Sequence, residues 1–280
     1  MIWVVFPAWN EEHVIGPTLR ALAEAARGRE SEYHAVLVDD GSTDRTVAEA
    51  ERAVAEGGGL LPLTVLRHEV NRGLGAGLRT GLYWCLDHAR DEDVIVTLDA
   101  DNTHPPALIP PLVERLGDRY DLAIASRYRQ GSEVHGVPGY RRAISDLARL
   151  VFQGLFPMPG VRDYTCCFRA YRVPLLRRAR LVWGDDLCTA RGFEAVMDLL
   201  LKLRPVGVRA VEMGFPLDYG DRVGQSKMKV LRTIRTTLVL LARRFVERFT
   251  VAAPGRVRAR LAAAERAAER AAPPPGRPVP

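Results

Sequence analysis

Short β-rich runs alternate with helix-length stretches along the first half of the chain, and few architectures accept that order. Strand signals fall at 2–6 (IWVVF), 35–38 (AVLV), 63–67 (LTVLR), 94–98 (VIVTL) and 121–125 (DLAIA). Helix patterns lie between them at 13–27, 44–56, 75–89 and 106–116, and Gly57-Gly58-Gly59 reads as a loop. Strand–helix alternation of this kind predicts the α/β class, with a mostly parallel sheet flanked by helices on both faces. At 280 residues with 47% hydrophobic and 26% charged side chains, the chain can bury a full core. That balance excludes disordered, collagen-like and disulfide-scaffold classes. Cys85, Cys166, Cys167 and Cys188 show no CxxC spacing. They read as free thiols of a reducing cytosol and not as a zinc site. Ile2–Phe6 is too short an apolar stretch for a leader, and Leu238–Ala242 is far too short to span a membrane. The chain is expected not to be integral.

Three predicted strands run directly into polar clusters. The first enters Pro7-Ala8-Trp9-Asn10-Glu11-Glu12, the second Asp39-Asp40-Gly41-Ser42-Thr43-Asp44, and the fourth Asp99-Ala100-Asp101-Asn102. Each has an ordinary explanation taken singly. Carboxylates favour helix N-termini, Ser42 or Asp44 can cap a helix, and Asp99 and Asp101 suit a turn before Pro105-Pro106. If the strands are parallel, however, all three meet at one sheet edge, where ligands of such sheets bind. Carboxylates crowded there repel one another unless a cation sits among them. Asp-Ala-Asp offers two hard oxygen ligands to Mg2+ or Mn2+, which would neutralise a diphosphate leaving group. His104 is a candidate further ligand, but a loop histidine beside two prolines reads more readily as a surface residue.

The assembled motifs resemble the inverting GT-A glycosyltransferases of family two, in the branch of the dolichol-phosphate and polyprenyl-phosphate mannosyltransferases. The matching segments are PAWNEE (7–12), VDDGSTDRT (38–46), NRGLGAG (71–77), LDADNTHPP (98–106), SRY (126–128), YRRAIS (140–145), FRAYR (168–172) and DRVGQSKMK (221–229). The resemblance implies a GT-A catalytic domain over 1–227. It implies that Pro7, Trp9, Glu11, Val38 and Asp40 line the nucleotide pocket. Asp99, Ala100 and Asp101 would hold metal and diphosphate, with Thr103 standing where such enzymes usually carry Gln as a third metal contact. Arg127 and Arg222 would contact phosphates and, with Asp101, make up the catalytic group. Arg141, Ser145 and Lys227 would take the acceptor phosphate, with Arg142 and Ser226 assisting. Asp198 replaces a more usual Glu, for which Glu194 compensates, and Cys166-Cys167 replaces Ser-Gly. The implied reaction transfers a mannose- or glucose-type hexose, from GDP-mannose or a UDP-hexose, to a polyprenyl phosphate. Such an acceptor is already anionic and attacks without a strong general base.

The C-terminal part fits a lipid substrate. Residues 222–280 hold 14 Lys and Arg against three Asp and Glu, whereas residues 1–221 hold 26 against 31. Two stretches are amphipathic. In 140–156, Ile144, Leu147, Val151 and Leu155 share a face near Arg141, Arg142 and Arg149; in 228–249, Leu231, Ile234, Leu238, Leu241 and Phe245 do so among Lys229, Arg232, Arg235, Arg243, Arg244 and Arg248. The segment 228–252 therefore predicts a basic interfacial helix, and 253–280 an Ala/Arg/Pro-rich flexible tail with a helix at 256–271. The implied protein is cytoplasmic and peripheral at the inner face of the membrane. Packing of either stripe on the protein core is the competing reading. Three rival functions remain. A same-fold transferase acting on a hydroxyl would need a carboxylate base, for which Asp163 and Asp198 are candidates. A nicotinamide enzyme is suggested by Gly73-Leu74-Gly75-Ala76-Gly77, but Leu78 breaks the GxGxxG pattern. A nucleic-acid binder is disfavoured by the acidic body, so no nucleic-acid partner is expected.

Overall fold

The computed structural model describes residues 1–59, 61–101, 103–132, 134–135, 139–218, 230–247, 249–250 and 253–271. The five expected strands are present as β1 (Ile2–Ala8), β2 (Tyr33–Asp39), β3 (Leu63–Arg67), β4 (Val94–Thr97) and β5 (Leu122–Ser126). Between them lie α1 (Ile15–Ala25), α2 (Thr46–Glu56), α3 (Leu74–His88) and α4 (Ile109–Glu114). There follow β6 (Val134–His135), α5 (Gly139–Leu155), β7 (Arg169–Arg172), α6 (Val173–Trp183), α7 (Glu194–Leu203), β8 (Ala210–Gly214), β9 (Leu217–Asp218), α8 (Val230–Glu247) and α9 (Pro254–Ala271). Seven strands form one sheet in the order β3-β2-β1-β4-β7-β5-β8, and β6 pairs with β9 in a second, two-stranded sheet. In the main sheet only β7 runs antiparallel to its neighbours.

Chain order reverses beside β1. The first crossovers build outward through β2 to β3, and the next strand returns to the other side of β1 as β4. This reversal is a topological switch point, where loops from both directions diverge and leave a crevice. Val4, Val5, Val36, Leu37, Val38, Ile95 and Val96 are fully buried, as expected of strands covered on both faces.

Helix α3 closes over β1 and β2 because its glycines leave room. A Cβ at Gly81 would lie 2.5 Å from Val5 Cγ1, and one at Gly77 would lie 3.1 Å from Pro7 Cβ. The glycine run that prompted the nicotinamide reading is therefore a packing surface. Its leading amides are also spent: Arg72 and Gly73 donate to Asp40, and Gly75 donates to the Arg191 carbonyl.

Strands β7 and β8 were not anticipated, and the reason is buried charge. Arg169 is completely buried in β7 and donates to the Val196 and Tyr164 carbonyls. Glu212 of β8 accepts from Arg129 Nε at 2.8 Å and from the amides of Arg162 and Asp163 at 2.6 Å each. Charged residues so satisfied occupy the interior and erase the apolar pattern by which a strand is recognised.

Opposite the switch point, the His34 ring lies 4.8 Å from Trp3 and 5.9 Å from Trp84, and its Nε2 pairs with Thr64 Oγ1 at 2.9 Å. Burial first, and His88 second, hold the His34 pKa below its ordinary 6.5. The unfolded chain then binds the proton more readily, so this contribution is complete above pH 6.5 and declines as pH falls through it. Melting at about pH 5.5 and about pH 7.5 checks this. His34→Gln is expected to shrink the acid-side loss, and an identical loss in both proteins would contradict it.

Candidate active site

The first two polar loops are stitched together by side-chain caps. The Asn10 amide donates to Ser42 Oγ at 2.9 Å, the Glu11 amide to Thr46 Oγ1 at 2.8 Å, and the Glu12 amide to Asp44 Oδ2 at 3.1 Å. In return, the Thr43 amide donates to Asn10 Oδ1 at 2.9 Å. Asp44 also accepts the Thr46 amide at 2.9 Å, fixing the start of α2. Asn10 takes a left-handed conformation with φ 54°, which asparagine tolerates better than most residues. Gly41 has φ +71°, and a Cβ there would stand 2.6 Å from the Val70 carbonyl carbon, so the loop requires glycine. Capping of α2 thus explains Asp44, whereas Ser42 Oγ accepts the Asn10 amide and ties the two loops that build the rim of the crevice.

Asp40 and the Asp99–Asp101 turn leave the same edge of the sheet. Asp39 is in register with Ala8 of β1, and Thr97 of β4 with Val5. One strand separates the two acidic loops, a spacing of about 10 Å at the sheet. Asp40 is 4% exposed; Oδ1 meets His68 Nδ1 at 2.6 Å and the Arg72 amide at 2.9 Å, and Oδ2 meets the Gly73 amide at 2.7 Å. The carboxylate sits at the N-terminus of α3, where helix-end amides and dipole favour negative charge. His68 in turn reaches Thr80 Oγ1 through Nε2 at 2.9 Å. Neither His68 nor Thr80 was singled out from the sequence; a histidine following a charged strand end carries no spacing signal.

The Asp-Ala-Asp turn is held from below. The Asp99 amide donates to His104 Nδ1 at 3.1 Å, and the Asp101 carboxylate accepts the Thr103 amide at 3.2 Å and its hydroxyl at 2.6 Å. His104 is 5% exposed, with Nε2 3.9 Å from Cys166 Sγ. It therefore supports the turn from the protein side. Thr103 lies against Asp101 and orients that carboxylate. Asp99 keeps a side chain 32% exposed. Two hard carboxylates on one short turn are the donor type that suits Mg2+ or Mn2+, although among the described residues no three His, Cys, Asp or Glu gather into a metal-holding group. Such ions accept two protein oxygens and complete their shell with water and phosphate oxygens. Asp99 and Asp101 would hold the ion here.

The remaining expected site residues divide. Pro7 packs on α3, Trp9 is 40% exposed at the mouth, and Glu11 lies in the laced loop. Ala100 and Val38 are buried, and Val38 Cγ2 faces Gly81 of α3, so the Val38 side chain packs in the core between sheet and helix. Arg127 closes a fork on Asp163, Nε to Oδ2 and Nη2 to Oδ1, both at 2.8 Å. Burial works against both charges, and their mutual attraction overcomes it, raising the Arg127 pKa and lowering that of Asp163 well below the carboxylate range. Arg127 thereby clamps the loop after β5 to the strand that follows Asp163, leaving its side chain 20% exposed. Ser145 is half-buried on α5, one turn beyond Arg141, whose side chain lies outside the described residues together with that of Arg142. Arg222, Ser226 and Lys227 also lie outside them.

Both carboxylates considered as a general base are already committed. Asp163 is fully buried in the fork with Arg127. Asp198 is fully buried between Arg244 Nε at 2.7 Å and Lys202 Nζ at 3.1 Å.

The amphipathic helices are only partly used by the core. On α5, Phe152 is buried and Val151 packs beside it, but Leu147 and Leu150 are 62% and 58% exposed. On α8, Leu240, Leu241 and Arg244 turn inward against α7, whereas Leu238 and Val239 are 60% and 63% exposed. Of the stripe expected on α8, Leu241 alone is buried among the described side chains; Ile234, Leu238 and Phe245 face out. Helix α9 packs on α6, with Val257 buried and Arg260 donating to the Val182 carbonyl. Among the described residues, no helix is long and apolar enough to cross a membrane.

A mostly parallel sheet whose switch point gathers acidic loops from β1, β2 and β4 is the GT-A architecture of nucleotide-sugar enzymes. Residues 3–179 match the glycosyl transferase family 2 profile, and the chain belongs to that family; it is a glycosyltransferase. It is 31% identical over 227 residues to a dolichol-phosphate mannosyltransferase of Pyrococcus furiosus, covering 81% of this chain and 58% of that relative. The chain thus spans little more than half of that protein's length. An undecaprenyl-phosphate mannosyltransferase of Micrococcus luteus is 31% identical over 228 residues, covering 81% of this chain and 87% of the relative. Among solved structures, glucosyl-3-phosphoglycerate synthase of Mycobacterium tuberculosis, crystallised with Mn2+, UDP and phosphoglyceric acid, superposes with a TM-score of 0.62 at 22% identity. That superposition covers 88% of this chain and 78% of the other, a likeness of fold.

Proposed function

We propose that the protein transfers a hexose of mannose or glucose type, with inversion, from a nucleoside-diphosphate sugar to a polyprenyl phosphate at a membrane surface. The observation that carries this reading is the commitment of Asp163 and Asp198 to buried ion pairs. With both candidate bases neutralised, an acceptor hydroxyl would keep its proton, whereas a phosphate monoester is anionic and needs no base. The relatives named for dolichol and undecaprenyl phosphate support the same acceptor class.

In this reading Asp40 and Trp9 receive the base, and Asp99 and Asp101 would hold Mg2+ or Mn2+, which would supply positive charge to the diphosphate. The bound ion would offset charge developing on the departing nucleoside diphosphate. The acceptor oxygen attacks the anomeric carbon from the face opposite that leaving group. The chain's own contribution is positioning: the laced loops fix the donor, and the Arg127–Asp163 fork keeps the neighbouring rim rigid. Arg141 and Ser145 on α5, with Arg222 and Lys227, are assigned to acceptor and donor phosphates, which arginine can bind in a fork. Turnover with undecaprenyl phosphate against undecaprenol tests the acceptor. The phosphate alone is expected to be glycosylated; transfer to the alcohol at a comparable rate would overturn the assignment.

The exposed leucines of α5 and the outer face of α8, apolar and edged with Arg232, Arg235 and Arg243, support binding in the headgroup plane on the cytoplasmic side. Truncation before α8 would also strip Arg244 from Asp198 and confound the result. The cleaner variant is Leu238→Glu with Val239→Glu, two exposed positions. It is expected to lose most binding to vesicles containing anionic lipid while retaining nucleotide affinity and melting temperature. Unchanged sedimentation with vesicles would count against a membrane role for this face.

A further inference from the structure

The surroundings of Asp40 restrict what it can recognise. A carboxylate offers about four acceptor positions, two on each oxygen. Among the described residues, Oδ1 takes His68 Nδ1–H at 2.6 Å and the Arg72 N–H at 2.9 Å, so both its positions are filled. Oδ2 takes only the Gly73 N–H at 2.7 Å and has one position left. His68 Nδ1–H donates to that oxygen, and Nε2 pairs with the Thr80 hydroxyl at 2.9 Å, so both ring nitrogens are engaged. His68 is itself fixed: its backbone amide donates to the Asp39 carbonyl at 2.9 Å, and its side chain is 6% exposed.

We propose that His68 is a specificity-determining residue, restricting the site to a nucleobase that offers a single N–H at its recognition edge, as uracil does. This rests on the reading of Asp40 as the group that receives the base. Guanine presents N1–H beside an N2 amino group and needs an acceptor on each carboxylate oxygen. With Oδ1 filled, one of those donors would be buried without a partner, a defect that binding sites reject strongly. His68 touches the base only through Asp40, so it acts by positioning and by occupying the second oxygen. The donor is thereby a UDP-sugar in preference to a GDP-sugar.

Calorimetric titration of the full chain with UDP and with GDP, each with Mn2+, tests the proposal. The wild type is expected to bind UDP at least about tenfold more tightly. His68→Leu frees Oδ1 and is expected to narrow the ratio to about threefold or less. His68→Gln can still donate to Oδ1 and is expected to keep most of the preference. The ratio of kcat/KM for UDP- and GDP-hexoses should follow the binding ratio, with the change in KM and not in kcat. Equal or tighter binding of GDP by the wild type overturns the proposal and leaves the transferase reading standing, as does a ratio unmoved in a folded His68→Leu protein. Failure of both nucleotides to bind the wild type defeats the donor-site reading itself. If His68→Leu does not fold, the wild-type ratio and His68→Gln still decide.

Discussion

Asp101→Ala is expected to lower sugar transfer by about a thousandfold or more while the protein stays folded. Asp101 lies on the rim, where its carboxylate accepts the Thr103 amide and hydroxyl. Losing a local turn contact of this kind costs about 1 kcal/mol, small beside the 5–15 kcal/mol that typically stabilises a domain. Losing one of two carboxylates that hold the ion removes the balance of charge at the diphosphate. Asp101→Asn, which keeps the turn acceptor, separates the two roles and is expected to be nearly as inactive. The measurement is turnover in saturating Mn2+ beside a melting curve. Near-normal turnover of either variant would reject the ion-binding role of this turn.

Asp198→Ala is expected to produce the largest loss of stability. Asp198 lies completely buried against Arg244 Nη2 at 2.6 Å and Lys202 Nζ at 3.1 Å. Burial pulls the Lys202 pKa down, and Asp198 opposes that pull. Removing the carboxylate leaves Arg244 with Glu247 as its one counter-ion and Lys202 with the Asp186 carbonyl and the Thr189 hydroxyl but no counter-ion, a change worth about 3 kcal/mol that lowers the melting temperature by roughly 10 °C. It also loosens α8, which the pair ties to α7. The triple variant Asp198→Leu, Lys202→Met, Arg244→Met removes the charges together and is expected to recover most of the loss, because apolar replacement of a buried ionic cluster is often neutral. A single variant that melts with the wild type would mean the cluster is dispensable.

The N-terminal half was legible because its strands are buried on both faces and its helices follow an apolar period. The acidic loops could be placed on one edge from parallel strand order alone. What stayed hidden depends on pairing across long sequence distances. The side chain of Asp163 looks like a free base in the sequence, yet Arg127, 36 positions away, neutralises it. The arginines of 228–249 read as one solvated set, but Arg244 faces inward because Asp198 waits beneath it. His68 carried no motif, and its importance arises only where the fold brings it to Asp40. The His104 ring, weighed as a ligand, proves to brace the turn through the Asp99 amide.

The most direct test of the account is a titration of nucleoside diphosphate into the wild-type chain and Asp101→Ala, each with Mn2+ and with chelator. Tight binding by the wild type that weakens at least about tenfold in chelator, and the same weakening in the variant even with Mn2+, is the expected result. Equal affinity under all four conditions would contradict a cation-held diphosphate at this sheet edge.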